Sequence, residues 1–201
     1  MVARFVFIGA LGTLLASCAA PRDVDHHIVV SVRDQKLALI EKGNLVATYP
    51  VSTSKFGLSD RPGSFGTPLG ELEIADKIGD GAPAGAVFKD RRRTGEVIPA
   101  NAPGRDPIVT RIIWLRGREA SNANAFRRDI YIHGTPEERN IGRPASYGCI
   151  RMRSVDIINL YSQVGQGAQV SIVNSPLTAV IPELGSGTQM AETNHAVGVI
   201  R

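Results

Sequence analysis

A mainly β domain with one helix, in a sandwich or curled sheet, is the fold class this sequence predicts. Three observations predict it. Short, β-branched, near-alternating runs recur along the chain and are separated by turn residues. One stretch, 155–164, repeats its apolar residues at helical period. At 201 residues and 43% hydrophobic, the chain buries one real core, and one domain is the default.

The chain begins with a targeting segment. Arg4 supplies a short positive region, and residues 5–15 form an apolar run too short for a stop-transfer helix. The run ends in Leu15-Ala16-Ser17-Cys18, which resembles the lipobox of bacterial lipoproteins. That resemblance implies cleavage after residue 17 and a lipid on Cys18; a plain secretory signal is the alternative. The expected layout is a signal peptide at 1–17, a tether at 18–27, a catalytic domain at 28–173 and an extension at 174–201. Ala19 follows the cysteine where some bacteria place an inner-membrane retention aspartate, so a periplasmic protein held at the outer membrane is expected. Cys149 is then the only free thiol of the mature chain. An unpaired thiol outside the cytoplasm tends to oxidise unless it is buried or functional.

Residues 28–33, 36–41 and 45–51 read as a β-meander, with Asp34-Gln35 and Lys42-Gly43-Asn44 as its turns. Residues 52–70 are rich in Gly, Ser and Pro, and 70–75 return to strand pattern. From 76 to 105 the chain reads as a long loop with a basic run, Lys89-Asp90-Arg91-Arg92-Arg93. Such a run is usually a solvated face, yet so long a loop in a compact domain is often functional. Strands are expected at 108–115 and 129–133, with Trp114 in the core. Ser154 is expected to cap the helix, Asp156 to favour its N-terminus, and Val155, Ile158 and Tyr161 to form its apolar stripe. Residues 168–173 close the sheet, and the tail beyond wraps the domain or stays mobile.

Composition excludes several classes. A net charge of +4 suits an anionic partner such as cell wall or lipid headgroups but is too weak to imply nucleic acid. The four histidines lack metal-ligand spacing, with His26 and His27 in the tether and His195 in the tail, and no phosphate-binding or dinucleotide loop is present. No cofactor and no metal are expected.

The chemistry concentrates between Asp129 and Met152. His133 ends a strand-like run, and Cys149 follows it by sixteen positions with Gly148 against it. A thiol titrates near 8.5, and a histidine partner lowers this to roughly 3.5–7.5, so Cys149 reads as nucleophile and His133 as its base. Gly148 leaves room for a substrate carbonyl, and the Gly148 and Cys149 N–H groups are candidates for an oxyanion hole. A backbone carbonyl would fix the His133 tautomer. A core histidine and an inert buried thiol are the bland alternatives.

Ile132-His133-Gly134-Thr135, followed by Ser146-Tyr147-Gly148-Cys149-Ile150-Arg151-Met152, resembles the signature of the L,D-transpeptidase (YkuD) family. Upstream, Tyr49 to Ser54 and Gly66-Thr67-Pro68-Leu69-Gly70 are similar to the family's early strand and its Thr-Pro turn. The resemblance implies a β-sandwich-like YkuD domain over roughly 28–173 with one helix after the cysteine. It implies Cys149 as the acylated nucleophile, His133 as base, Gly134 as the carbonyl that orients it, and Gly148 at the oxyanion turn. Ser146, Tyr147 and Arg151 are implied on the substrate side, Arg151 near the donor carboxylate or in support of the site. The substrate implied is the tetrapeptide stem of peptidoglycan, whose terminal D-residue is released and whose acyl chain passes to an amine, usually of meso-diaminopimelate. Carbapenems acylate the same cysteine in many members. A monomer is expected. Where the family often has Ser-His-Gly-Cys, this chain has Tyr147, neutral near pH 7, which affects substrate choice more than nucleophile activation. Water as acceptor, as in an L,D-carboxypeptidase or amide hydrolase, stays open, as does a non-catalytic wall-binding module.

Overall fold

The computed structural model describes residues 21–184. The signal segment with Cys18, and the tail from 185 onward with His195, lie outside the described residues. Strands β1 (His26–Ser31) and β2 (Lys36–Glu41) pair antiparallel, and β2 turns into β3 (Asn44–Pro50). Lys42 and Gly43 make that turn at φ 49° and 83°, the two-residue geometry that matches strand twist. There follow β4 (Gly70–Ile78), β5 (Ala86–Lys89), β6 (Arg92–Val97), β7 (Ile108–Gly117), β8 (Tyr131–Gly134) and β9 (Ile150–Met152). Helix α1 (Ser154–Gln163), strand β10 (Gln169–Val173) and the one-turn α2 (Leu177–Val180) complete the described chain.

The sheet runs β3-β2-β1-β10-β4-β7, with β1 and β10 parallel. At β7 it branches: β4 and β5 share one edge, and β8 takes the other, with β9 parallel beyond it. The edge of β9 does not end in solvent. Ser52 donates its N–H to the Arg151 carbonyl at 3.0 Å and accepts the Arg151 N–H at 2.8 Å. Ser52 lies two residues beyond β3, so the circuit of main-chain bonds returns to the strand from which it began. This is the curled, sandwich-like form expected, with closure removing an exposed edge.

Side chains from around the circuit meet in one core. Ile28, Leu39, Ile74, Leu115, Ile132 and Ile150 converge there with Ile157 and Leu160 of α1. The helix sits where the sequence places it but is rotated from the expected stripe. Val155 is 68% exposed, while Ile157, Leu160 and Tyr161 face the core. Ser154 is the first helical residue and not its cap. Its hydroxyl bonds Thr110 Oγ1 at 2.8 Å, and its N–H is taken by the Glu138 carboxylate at 2.8 Å. A distant acid does the work of the local cap.

Three further differences bear on function. Residues 76–105 are not a continuous loop, because β4 extends to Ile78 and β5 and β6 form a hairpin. Its two-residue tip is Asp90-Arg91, with φ 50° and 64°. The described end of the expected tether is docked: Asp23 receives the Gly165 N–H at 2.6 Å, and β1 already begins at His26. His27 is structural as well, with Nε2 at 2.8 Å from Ser171 Oγ. Beyond β10, Leu177 and Ile181 pack on Val29 and Ala38, so this part of the extension wraps the domain.

Candidate active site

Strand periodicity sorts the central motif onto two faces. Ile132 and Ile150 are partners in the β8–β9 ladder and are both fully buried in the core. Their neighbours Tyr131, His133 and Arg151 therefore point to the opposite face. Cys149 stands one residue before β9, beside Tyr131, whose N–H lies 3.4 Å from its sulfur. The thiol itself donates to the Asp129 carbonyl at 3.3 Å. His133 and Cys149 thus occupy diagonal positions on one face.

His133 is 5% exposed, and its Nδ1 bonds the Gly134 carbonyl at 2.8 Å. A carbonyl only accepts, so Nδ1 carries the proton and Nε2 presents a lone pair. Gly134 is required by close approach: a Cβ there would stand 2.6 Å from the Val109 carbonyl. This contact falls at a bulge of β7, where Thr110 adopts φ 73°.

Burial favours the neutral form of both groups. Burial pushes the His133 imidazole down to about 4, with the Arg151 charge adding to the effect and the Gly134 bond opposing it. Burial pushes the Cys149 thiol up to about 11, against the lowering effect of the Tyr131 N–H. In the resting site, burial therefore opposes the lowering that a histidine partner is expected to bring to the thiol. Alkylation of Cys149 by iodoacetamide, which consumes thiolate, is accordingly expected to rise about tenfold per pH unit from pH 6 to 9. A rate flat across that range would show a preformed ion pair.

The turn carrying the sulfur is held from below. Ser146 is fully buried; its hydroxyl donates to the Cys149 carbonyl at 2.5 Å and accepts the Gly148 N–H at 3.2 Å. Gly148 has φ +123°, and a Cβ there would stand 3.2 Å from the Gly66 carbonyl. Thr67 donates its hydroxyl to the Gly148 carbonyl at 3.0 Å and accepts the Ser54 N–H at 3.0 Å. Two expectations change. The Gly148 N–H is already engaged, so the N–H open to an oxyanion at this turn is that of Cys149. Ser146 braces the turn and does not face substrate.

Arg151 also changes role. It is 8% exposed, pairs with Asp106 at 2.7 Å and donates to the Ala145 carbonyl at 3.2 Å. Of the two expectations for it, support of the site is the one its geometry fits. Tyr147 is 55% exposed, packed on Phe56 at 5.3 Å and Phe65 at 6.0 Å, with its hydroxyl accepting from Lys55 at 3.1 Å. It is a surface residue beside the catalytic turn.

The sulfur opens into a cavity of about 240 Å³ under the β5–β6 hairpin, lined also by Phe88, Ile108, Ile112 and Tyr131. Asp129 and the hairpin tip, Asp90 and Arg91, complete the lining. Arg91 bonds Asp129 at 3.0 Å and the Tyr131 hydroxyl at 3.2 Å, and its guanidinium lies 4.6 Å from the Trp114 ring centroid. Trp114 in turn stacks on Phe126 at 4.0 Å. Tyr131, Asp129 and Arg91 are site residues the sequence reading did not single out. The basic run was the available signal, with a substrate-facing role left open for its segment. A larger polar groove, about 740 Å³ and lined by Arg22, His27 and Glu71 among others, does not include the sulfur. Among the described residues no group of three or more His, Cys, Asp or Glu is placed to hold a metal ion.

The family model for the L,D-transpeptidase catalytic domain, YkuD, matches residues 25–172. The chain is 31% identical to the "Probable L,D-transpeptidase YcfS" of Escherichia coli, over 83% of this chain and 48% of that protein. It is 29% identical to the "Probable L,D-transpeptidase ErfK/SrfK" of Salmonella typhimurium, over 83% of this chain and 50% of that protein. The chain thus spans about half the length of these curated relatives. Among solved structures, the Ldtfm–avibactam carbamoyl enzyme shares the fold, with a TM-score of 0.50 at 16% identity, over 77% of this chain and 51% of that one.

Proposed function

The chain belongs to the L,D-transpeptidase catalytic-domain family, YkuD, and from that premise we propose that it cross-links peptidoglycan stem peptides through an acyl-enzyme on Cys149. The observation that carries this reading is the joint placement of the sulfur and a tautomer-locked imidazole on one face of β8–β9, with the sulfur lining a cavity.

In acylation, Cys149 Sγ attacks the carbonyl that precedes the terminal D-residue as its proton passes to His133 Nε2. The Cys149 N–H takes the developing oxyanion. The C–N bond breaks, and the imidazolium returns the proton to the departing amine. An acceptor amine then attacks the thioester and releases the thiol. Gly134 holds the imidazole throughout, and Arg151 braces the turn through Asp106 and Ala145. Leu15-Ala16-Ser17-Cys18 supports a lipid-anchored, periplasmic location for this activity.

The test is mass spectrometry of the purified protein with a disaccharide-tetrapeptide. A covalent adduct equal to the donor less its terminal residue is expected on the wild type, followed by muropeptide dimers. Cys149→Ala should give neither. Dimers formed by Cys149→Ala would refute the nucleophile, and trimmed monomers without dimers would show that water is the acceptor.

A further inference from the structure

We propose that Arg91 and Asp129 form a subsite for an α-amino-acid end group, a free ammonium and carboxylate on one carbon, and so select the acceptor. The proposal rests on the acyl-enzyme reading above and names what resolves it.

The pair lines the same cavity as the sulfur. Both hydrogen bonds of the guanidinium leave from one nitrogen: Nη1 donates to Asp129 Oδ1 and to the Tyr131 hydroxyl. Nε and Nη2 have no hydrogen-bond partner among the described residues. Asp129 accepts from Arg91 through Oδ1 and also faces the Tyr131 hydroxyl, and its half-exposed carboxylate keeps room for a further donor. A donor edge and an acceptor atom therefore stand side by side with opposite charge. The group that satisfies both at once is a zwitterion, with its carboxylate on the free guanidinium edge and its ammonium on the Asp129 carboxylate.

Two other features fit this use. The side chains of the pair are 38% and 50% exposed, so water screens their own attraction and a ligand is admitted at little cost. The guanidinium is nevertheless positioned in advance, by the Trp114 face and the Tyr131 hydroxyl. Arg151 cannot take the role, since it is buried against Asp106. A simple alkylammonium or a lysine side chain offers only the positive charge of the two.

The chemistry closes. One proton leaves the bound ammonium to solvent, and the amine attacks the thioester carbon. The new C–N bond forms as the C–S bond breaks, and a second amine proton passes through His133 Nε2 to Cys149 Sγ. A free D-amino acid and the side-chain end of diaminopimelate share this end group.

The experiment uses the full chain, acylated with a disaccharide-tetrapeptide and then offered paired acceptors. These are D-alanine against D-alaninamide, and a diaminopimelate-containing muropeptide against its side-chain amide. The acid is expected to resolve the acyl-enzyme at least about tenfold faster than its amide, although the amide holds more neutral amine. Arg91→Gln should bring that ratio near one, and Arg91→Lys should restore part of it. Activity with only one of the two acids identifies the source of the end group. Equal use of acid and amide by the wild type, or an unchanged ratio in Arg91→Gln, overturns the subsite. Failure to form any acyl-enzyme refutes the proposed function instead.

Discussion

Replacing His133 by asparagine is expected to slow acylation of Cys149 by roughly 10²- to 10⁴-fold while leaving the fold in place. The amide can still donate to the Gly134 carbonyl, so what is lost is the lone pair that accepts the thiol proton. The wild-type rate should be level through neutral pH and fall tenfold per unit only below about pH 4, where the imidazole takes a proton. The stability consequence has a definite sign. Between pH 4 and the unfolded value near 6.5, the unfolded chain binds a proton that the folded imidazole refuses. Stability therefore rises with pH across that window, and His133→Asn should remove part of the slope. Second-order acylation by a tetrapeptide donor or a carbapenem, followed against pH, checks the kinetic claim. A loss under tenfold would show that another group takes the proton.

Arg128→Met is expected to destabilise the domain by roughly 3–5 kcal/mol, lowering the melting temperature by on the order of 10 °C. The Arg128 and Asp60 side chains are only 9% and 5% exposed and meet at 3.0 Å. Removing the cation leaves a buried carboxylate that still accepts the Asn124 N–H but has no counter-charge. The guanidinium also donates to the Ser59 and Gly66 carbonyls, and Gly66 is the floor against which Gly148 packs. Acylation should therefore fall by more than the unfolded fraction explains. Thermal unfolding combined with acylation at a temperature where the variant is folded separates the two effects. Restoring most of the stability by adding Asp60→Asn would identify the stranded charge as the cause.

The strands of the meander, β7, β10 and the helix were legible because each buries one face and announces it by alternation or helical period. The hairpin β5–β6 was not. All six residues of β6 are exposed, so it carries no apolar alternation, and its tip reaches positive φ with Asp90 and Arg91 in place of glycine. The helix was placed correctly but its stripe was misphased, since Val155 is apolar yet exposed and the cap comes from Glu138, sixteen residues before Ser154. At the site, the sulfur, the imidazole and the orienting carbonyl were local enough to read from Asp129–Met152. The roles of Arg151, Ser146 and the Gly148 N–H were not, because their partners settle them. Asp106 lies far back in sequence, and a serine hydroxyl chooses between substrate and its own turn only in three dimensions.

The bridge between Ser52 and Arg151 gives the strand that follows Cys149 an unusual dependence. With three residues, β9 is a stave too short to hold its own place, and it is gripped by β8 on one side and by the continuation of β3 on the other. The two ends of that grip are joined from segments about a hundred residues apart, a closure with a large entropic cost in an unfinished chain. Cys149 therefore reports on the hoop as a whole. Loosening β2 or β3, far along the sheet from the sulfur, transmits to it through an unbroken belt of main-chain bonds. A slip anywhere along that belt is therefore expected to register at the thiol, as a slower acylation of Cys149.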